Sequence, residues 1–290
     1  MTPMERAEAA GARVRRADLG RRLLVAVAGI PLAIIIVYAG GLAFALGLGV
    51  LAATAMWEYA RMMANRGLRV PLSIGTVGAA LLPLVVLYLG SRGAWSAVAL
   101  LLLVGTGYGM LRCPPAEGPI TTAAVTVLGV LYLGGLLSFG VPLRESLLSG
   151  RTEGTLLFFL PVALTWLADT AAYFGGRRFG RRRLAPRISP NKTIEGAAAA
   201  VVAGPVGAML FGLWILPAIG DRLGPAGLVA LGLVVSGAAI LGDLVESALK
   251  RECAVKDSSN LLPGHGGLLD RLDSLLWSIP AAYLFLALVI

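Results

Sequence analysis

Residues 225–247 read PAGLVALGLVVSGAAILGDLVES, and this stretch decides which kind of fold the chain adopts. No charged side chain occurs in it before Asp243. The run is therefore apolar over the roughly 18 residues that a helix needs to cross a hydrocarbon core about 30 Å thick. Two carboxylates, Asp243 and Glu246, come only at its end. The stretch predicts a membrane-spanning helix with an acidic terminus.

Similar apolar runs recur along all 290 residues, and the chain is 57% hydrophobic and 14% charged. Soluble domains carry about 25% charged residues, so a soluble fold is excluded. Divided at glycine, proline and charge, the runs give nine candidate spans: 23–40, 42–58, 72–90, 94–111, 120–141, 155–175, 197–217, 225–247 and 274–290. We expect an all-α, polytopic integral membrane protein with about nine transmembrane helices.

Lysine and arginine collect in alternate loops between these spans, as they do in loops on the cytoplasmic side. The loops rich in lysine and arginine are 1–22, 61–69, 112, 177–192 and 250–271. The other set holds Arg92, Arg144, Arg151 and Arg222. The pattern predicts a multi-pass protein of the cell membrane, plasma or inner, with its amino terminus in the cytoplasm. Topology thus accounts for the net charge of +9, and no nucleic-acid partner is expected.

We predict three regions. Residues 1–22 form a cytoplasmic basic tail, 23–150 hold the N-terminal transmembrane helices, and 151–290 form a C-terminal catalytic region with cytoplasmic loops 176–196 and 248–273. In the N-terminal region Glu58 stands beside Trp57 and Tyr59, which is typical of a residue at the membrane interface. The two cysteines, Cys113 and Cys253, are too far apart in sequence to suggest a disulfide framework or a metal-ligand pair.

The first polar residue that needs a functional explanation is Asp169, a carboxylate inside an otherwise apolar predicted helix. Such a charge is costly in a membrane and marks a functional site more often than a structural pair with arginine. An arginine-rich loop follows and ends in Ser189-Pro190-Asn191-Lys192-Thr193-Ile194-Glu195-Gly196. Hydroxyl, ammonium and free backbone N–H groups at a helix start suit phosphate oxygens. Glu195 fits a helix-start acid and a site carboxylate equally well.

The end of the eighth predicted span carries a polar helix face. The helical spacing places Asp243, Glu246, Ser247 and Lys250 on one side. Two carboxylates near the membrane surface suit a hard divalent cation, which prefers oxygen ligands. The alternative is a Glu246–Lys250 pair that only stabilises the helix.

A glycine-rich turn precedes the last predicted span. Three glycines surround His265, the one histidine of the chain, and allow a ligand to approach the backbone closely. Asp270 and Asp273 follow and share a helix face. A lone histidine is more often structural or a hydrogen-bond donor to a substrate than a metal ligand.

The segment Ser247–Asp273 resembles the signature of the phosphatidate cytidylyltransferases, also called CDP-diacylglycerol synthases. The matching positions are Ser247, Lys250, Arg251, Lys256, Asp257, Ser259, Pro263, His265, Gly266, Gly267, Asp270, Arg271 and Asp273. Asp169-Thr170, the run 189–196 and Gly242-Asp243 are similar to other common features of the family. The resemblance covers about residues 160–290.

This resemblance implies transfer of a cytidylyl group from CTP to phosphatidate, giving CDP-diacylglycerol and pyrophosphate. It implies dependence on Mg²⁺, with a second cation such as K⁺, at a membrane-lipid surface, and a homodimer. The catalytic residues are then Lys192, Lys250, Arg251, Asp270, Arg271 and Asp273. The substrate-binding residues are Ser189, Asn191, Thr193, Glu195, Ser247, Lys256, Asp257, His265, Gly266 and Gly267. The metal ligands are Asp169, Asp243, Glu246, Asp270 and Asp273.

Two other readings stay open. A CTP-dependent kinase of an isoprenoid alcohol would share the nucleotide site but release CDP. A membrane transporter also carries intramembrane carboxylates, but these should be spread through paired halves of the bundle. Here the charged residues cluster at one side and at one end of the chain.

Overall fold

The structure is a computed structural model that describes residues 27, 29–114, 118–148, 150–261 and 266–289. Seven of its helical stretches are long and apolar enough to cross a membrane: Gly41–Asn65, Leu72–Arg112, Pro119–Glu145, Arg151–Phe179, Ile194–Ile215, Pro217–Glu252 and Leu269–Val289. A shorter apolar helix, Gly29–Ala39, precedes them. The predicted all-α, polytopic membrane fold is confirmed. The predicted tail 1–22 lies outside the described residues.

The helices are numbered in chain order. Helix α1 is Gly29–Ala39, α2 is Gly41–Asn65, α3 is Leu72–Arg112, and α4 is Pro119–Gly129. A π-helical turn, Val130–Gly135, leads into α5, Leu136–Ser138, and α6, Gly140–Glu145. Then come α7, Arg151–Phe179, and α8, Ile194–Leu210, which continues as a π-helical turn, Phe211–Ile215. The last three helices are α9, Pro217–Glu252, α10, Leu269–Leu272, and α11, Leu275–Val289.

Helix α3 is a hairpin of two spans. Its 41 residues would reach about 60 Å if straight, twice the thickness of the hydrocarbon core. The helix breaks at Gly90, whose φ of 58° is one that glycine adopts readily. A methyl group on Gly78 would come within 3.0 Å of Leu101, so the two halves pack side by side and run in opposite directions. They correspond to the predicted spans 72–90 and 94–111, while the total of nine spans stays a prediction.

A short antiparallel hairpin interrupts the helical pattern. Strands β1, Arg183–Ala185, and β2, Ser189–Thr193, pair between α7 and α8. Helices α7 and α9 end beside this hairpin, and α8 and α10 begin there, which defines the β-hairpin end of the bundle. The sequence predicted a loop over 176–196 but not the pairing within it.

The opposite end is defined by Arg144 and is called the Arg144 end. Arg144 is buried at the end of α6, and its guanidinium donates to the carbonyl oxygens of Val37 at 3.0 Å and Tyr38 at 2.9 Å. It also pairs with Glu145 at 2.9 Å. Glu145 in turn accepts from the N–H of Gly41 at 2.6 Å. This cluster locks the turn between α1 and α2 onto α6.

The core lies between the helices, and much of the outside is apolar. Buried leucines and phenylalanines of α2, α7, α9 and α11 form one continuous cluster, and within it Thr165 donates to Ser278 at 2.9 Å. Large apolar side chains stay exposed, among them Trp166 at 60% and Leu288 at 86%. Exposure on this scale is expected of helices that face lipid. The chain is an integral membrane protein.

Candidate active site

The entry to α8 is built from two local interactions. Thr193 is the N-cap of α8, and its hydroxyl accepts from the N–H of Gly196 at 3.1 Å. Glu195, in the first turn, accepts from the backbone N–H groups of Arg181 at 3.0 Å and Arg182 at 3.3 Å. Of the two roles that the sequence left open for Glu195, the structure displays the structural one, because this carboxylate holds the loop before β1.

The β2 strand carries Lys192 to the acidic face of α9. Lys192 forms an ion pair with Asp243, and its ammonium nitrogen is buried. Ser247, one turn along α9, lies with its hydroxyl 3.4 Å from the same carboxylate. The predicted loop 176–196 and the acidic end of α9 therefore form one pocket wall.

Lys250 lies between two acids. Its ammonium is 2.6 Å from Glu246 and 2.7 Å from Asp270, so it links α9 to α10. Glu246 is fully buried, and neither of its oxygens makes a hydrogen bond of ordinary geometry within the described chain. Asp270 also accepts from the N–H groups of Ser258 at 3.0 Å and Gly267 at 2.8 Å. The Glu246–Lys250 pair is thus part of a three-membered network.

Three further carboxylates approach one another beside this network. Asp169 on α7 lies within electrostatic range of Asp243, Asp273 and Lys192. Asp273 is half-buried and accepts from the N–H of Ser274 at 2.6 Å. A methyl group on Gly242 would lie 2.6 Å from the carbonyl oxygen of Asp273, so the absence of a side chain there lets α9 approach α11 closely.

The remaining predicted residues surround this centre. Asn191, Arg251, Lys256, Asp257 and Arg271 are exposed, and Ser189 is half-buried on β2. Arg251 donates to the carbonyl oxygen of Ile188 at 3.4 Å, so the end of α9 contacts the β-hairpin. His265 lies outside the described residues. Gly266 follows it with a φ of 79°, a left-handed conformation that favours glycine.

The described residues contain no group of three or more histidine, cysteine, aspartate or glutamate side chains arranged to hold a metal ion. Lysine ammonium groups lie between the acids: Lys192 against Asp243, and Lys250 against Glu246 and Asp270. The centre therefore consists of alternating positive and negative side chains. Such a centre can exchange its internal ion pairs for contacts with a charged ligand.

Sequence reasoning missed Glu58. It was interpreted as an interfacial residue at a helix end, but α2 continues to Asn65 and Glu58 is fully buried. Its carboxylate contacts the loop that precedes α10. The available signal was a carboxylate among apolar and aromatic residues, the same signal that singled out Asp169.

The two cysteines are buried and not bonded to each other. Burial raises the pKa of the Cys253 thiol, and the nearby Glu252 carboxylate adds to this shift. A raised pKa disfavours the reactive thiolate. Cys253 is therefore a packing residue at the end of α9.

Comparisons with known proteins show which family the sequence belongs to. The family model described as the Cytidylyltransferase family matches residues 20–289. The chain is 35% identical over 282 residues to the phosphatidate cytidylyltransferase of Bacillus subtilis, which covers 93% of this chain and 98% of that protein. It is 32% identical over 265 residues to the phosphatidate cytidylyltransferase of Staphylococcus aureus, covering 89% and 95%. With the family model spanning nearly all of its length, the chain belongs to the cytidylyltransferase family.

Proposed function

We propose that the protein transfers the cytidylyl group of CTP to phosphatidate, forming CDP-diacylglycerol and pyrophosphate. The observation that carries the proposal is the cluster of Lys192, Lys250 and five carboxylates at one end of a membrane helix bundle. Family membership and the names of relatives that match over nearly their whole length support the same reaction.

The chemistry sets the demand on the site. An oxygen of the phosphatidate phosphate attacks the α-phosphorus of CTP, a new P–O bond forms, and the bond from the α-phosphorus to the bridging oxygen breaks. The attacking phosphate is already anionic near neutral pH, so a strong general base is not required. Its repulsion by the triphosphate is the main obstacle, and positioning with charge neutralisation is the main means to overcome it.

Lys192 and Lys250 are the cations that we assign to this task. Both ammonium groups lie within the acidic cluster, so they are close to any triphosphate held there. Lys192 has Asp243 as its ionic partner, and its nitrogen is buried within the cluster. We propose that Lys192 turns from Asp243 to a phosphate oxygen when substrate binds. Arg251 and Arg271, at the rim, would contact the lipid phosphate.

Mg²⁺ fits the donor chemistry of the site. Asp169, Asp243 and Asp273 supply oxygen donors, which a hard cation prefers, and they lie within electrostatic range of one another, although the described residues do not hold them at metal-binding distances. Asp243, Glu246 and Asp270 are each paired with a lysine, so Mg²⁺ would have to displace Lys192 or Lys250 to bind them. When bound, Mg²⁺ would neutralise charge on the triphosphate and on the leaving pyrophosphate. A second cation such as K⁺ stays a prediction.

The depth of the site suits a substrate that remains in the bilayer. Phosphatidate keeps its acyl chains in the hydrocarbon core, and its phosphate lies at headgroup level. Asp169 and Asp243 lie nine or ten residues before the ends of α7 and α9, which is about 15 Å along each helix, and Asp270 lies in α10. We propose that the β-hairpin end faces the cytoplasm, because the loops rich in lysine and arginine lie there. A homodimer stays a prediction.

The test uses purified protein in detergent micelles that contain phosphatidate, with Mg²⁺ and CTP labelled either on the α- or on the γ-phosphorus. We expect α-label in the extracted lipid and γ-label in released pyrophosphate. Label from the γ-phosphorus in lipid, with CDP as the other product, would instead indicate a lipid kinase. An absence of both products, in micelles where a known cytidylyltransferase is active, would contradict the proposal.

A further inference from the structure

The carboxylate of Glu58 joins the two halves of the chain. It is 0% exposed, and each of its oxygens has two donors. One oxygen accepts from the Ser259 hydroxyl at 2.5 Å and the N–H of Leu268 at 2.9 Å. The other accepts from the Ser258 hydroxyl at 3.0 Å and the N–H of Leu269 at 2.7 Å. The four donors lie in two short stretches, 258–259 and 268–269. We call the described residues 258–261 and 266–269 together the clamped loop.

The clamped loop leads directly to the Lys250 network. The Ser258 hydroxyl is 3.1 Å from Asp270 as well as 3.0 Å from Glu58. A hydroxyl has one proton to donate, so Ser258 donates to only one of these carboxylates at a time. Backbone N–H groups supply the other hydrogen bonds to Glu58 and Asp270. Asp270 then contacts Lys250 at 2.7 Å. A continuous path of polar contacts therefore runs from Glu58 through Ser258 and Asp270 to Lys250.

The path of polar contacts leaves room only for glycine at position 267. A methyl group at this position would overlap the Ser258 hydroxyl and lie 2.8 Å from both oxygens of Glu58. A distance under 3.0 Å is one that real side chains avoid, so Gly267 leaves the space that Glu58 fills. Glu58 and the glycine-rich turn thus fit one another across about two hundred positions of sequence.

We infer that Glu58 is a positioning residue for cytidylyl transfer, acting through the clamped loop on Asp270 and Lys250. The inference rests on the proposed function. A carboxylate offers two acceptor oxygens to these donors, whereas the glutamine amide has a single acceptor oxygen. Glu58→Gln would therefore free part of the loop while it preserves the shape of the buried side chain. A displacement of about 1 Å at catalytic groups is enough to cost up to about a hundredfold in rate.

The kinetic test compares Glu58→Gln with Glu252→Gln, an exposed acid at the same end of the bundle. We expect Glu58→Gln to lower kcat per folded enzyme by about tenfold or more, with a smaller change in KM for CTP. Glu58→Asp, which keeps the charge, should restore part of the rate, and Glu252→Gln should match the unaltered protein. An unaltered kcat per folded Glu58→Gln enzyme, even with less folded protein, would overturn the inference.

A second measurement follows the mobility of the clamped loop and does not depend on catalysis. A spin label attached through Asn260→Cys, at an exposed position in the clamped loop, should be more mobile with Glu58→Gln and unchanged with Glu252→Gln. If Glu58→Gln fails to fold, Ser259→Ala removes one bond of the clamp and should give a smaller change in both readouts. Equal label mobility in all variants would overturn the inference. An inactive unaltered protein would refute the proposed function alone, since the label still reports the clamp.

Discussion

The two ends of the bundle both bury charged side chains, but they differ in how completely those charges are satisfied. At the Arg144 end, the guanidinium has two carbonyl oxygens and Glu145 as partners, and Glu145 also holds a backbone N–H. At the β-hairpin end, Lys192 is paired with Asp243 and the fully buried Glu246 with Lys250, and neither the Lys192 nitrogen nor the Glu246 carboxylate has a backbone partner among the described residues.

This difference helps to distinguish a charged cluster that stabilises the fold from one that can bind a ligand. Buried polar groups are nearly always hydrogen-bonded, so a saturated cluster has no bonding capacity left for a ligand. Groups that keep only an ion pair retain donors and acceptors that a substrate can take. Charge alone does not identify the site, because both ends carry it. The β-hairpin end differs because its lysines and carboxylates pair mainly with one another, and a charged ligand can replace such pairs.

The largest expected effect is loss of activity at the β-hairpin end. Lys192→Ala and Asp273→Asn should each lower kcat by about a hundredfold or more, because each removes a charge placed where phosphate charge must be neutralised. The measurement is pyrophosphate release per folded enzyme, with the thermal midpoint recorded alongside. Near-normal turnover in either variant would remove that residue from the site.

The Arg144 end should show the reverse behaviour. Arg144→Ala takes the cation from the half-buried Glu145 carboxylate and leaves the carbonyl oxygens of Val37 and Tyr38 without their donor, which costs about 1–3 kcal/mol for each buried acceptor. We expect a large fall in thermal stability and unaltered kcat in the fraction that stays folded. A variant of normal stability and reduced kcat would show that this end takes part in catalysis and would erase the contrast.

Two glycines, Gly242 at the β-hairpin end and Gly40 at the Arg144 end, allow matched substitutions at the two ends of the bundle. A methyl group on Gly242 would press on the carbonyl oxygen of Asp273, while one on Gly40 would meet the Arg144 guanidinium. Gly242→Ala should push α9 from α11 and lower kcat by about tenfold. Gly40→Ala, at a φ of 67°, should lower stability instead. Kinetics and thermal unfolding of both variants test this, and equal effects on kcat would contradict it.

The smallest expected effect concerns Thr193. Its hydroxyl already caps α8 by accepting from Gly196, so Thr193→Ala should cost about 1 kcal/mol of stability and change kcat by only a few-fold. Thr193→Ser retains the hydroxyl and serves as the control. A loss of activity far beyond the loss of stability would assign the hydroxyl to substrate phosphate, as the sequence predicted.

The amino-acid sequence was enough to predict the membrane fold, and it predicted most of the residues that the structure brings together at the β-hairpin end. Apolar length is a local property, so each long span could be found without knowledge of its neighbours, and the break at Gly90 follows from the same reading. Asp243, Glu246, Ser247 and Lys250 share a face because helical spacing fixes it. Proline, glycine and charge punctuation likewise located the loops that meet at the β-hairpin end.

The pairing of these residues, and the contact of Glu58 with the clamped loop, depend on how the helices pack in three dimensions. Helical periodicity relates residues within one helix, but it does not state which helices are neighbours or how closely they approach. Lys192 meets Asp243, Lys250 meets Asp270, and Glu58 meets the clamped loop, all across long separations in sequence. These partners are set by helix packing, because glycines at close contacts such as Gly242 determine which polar groups come within hydrogen-bonding reach.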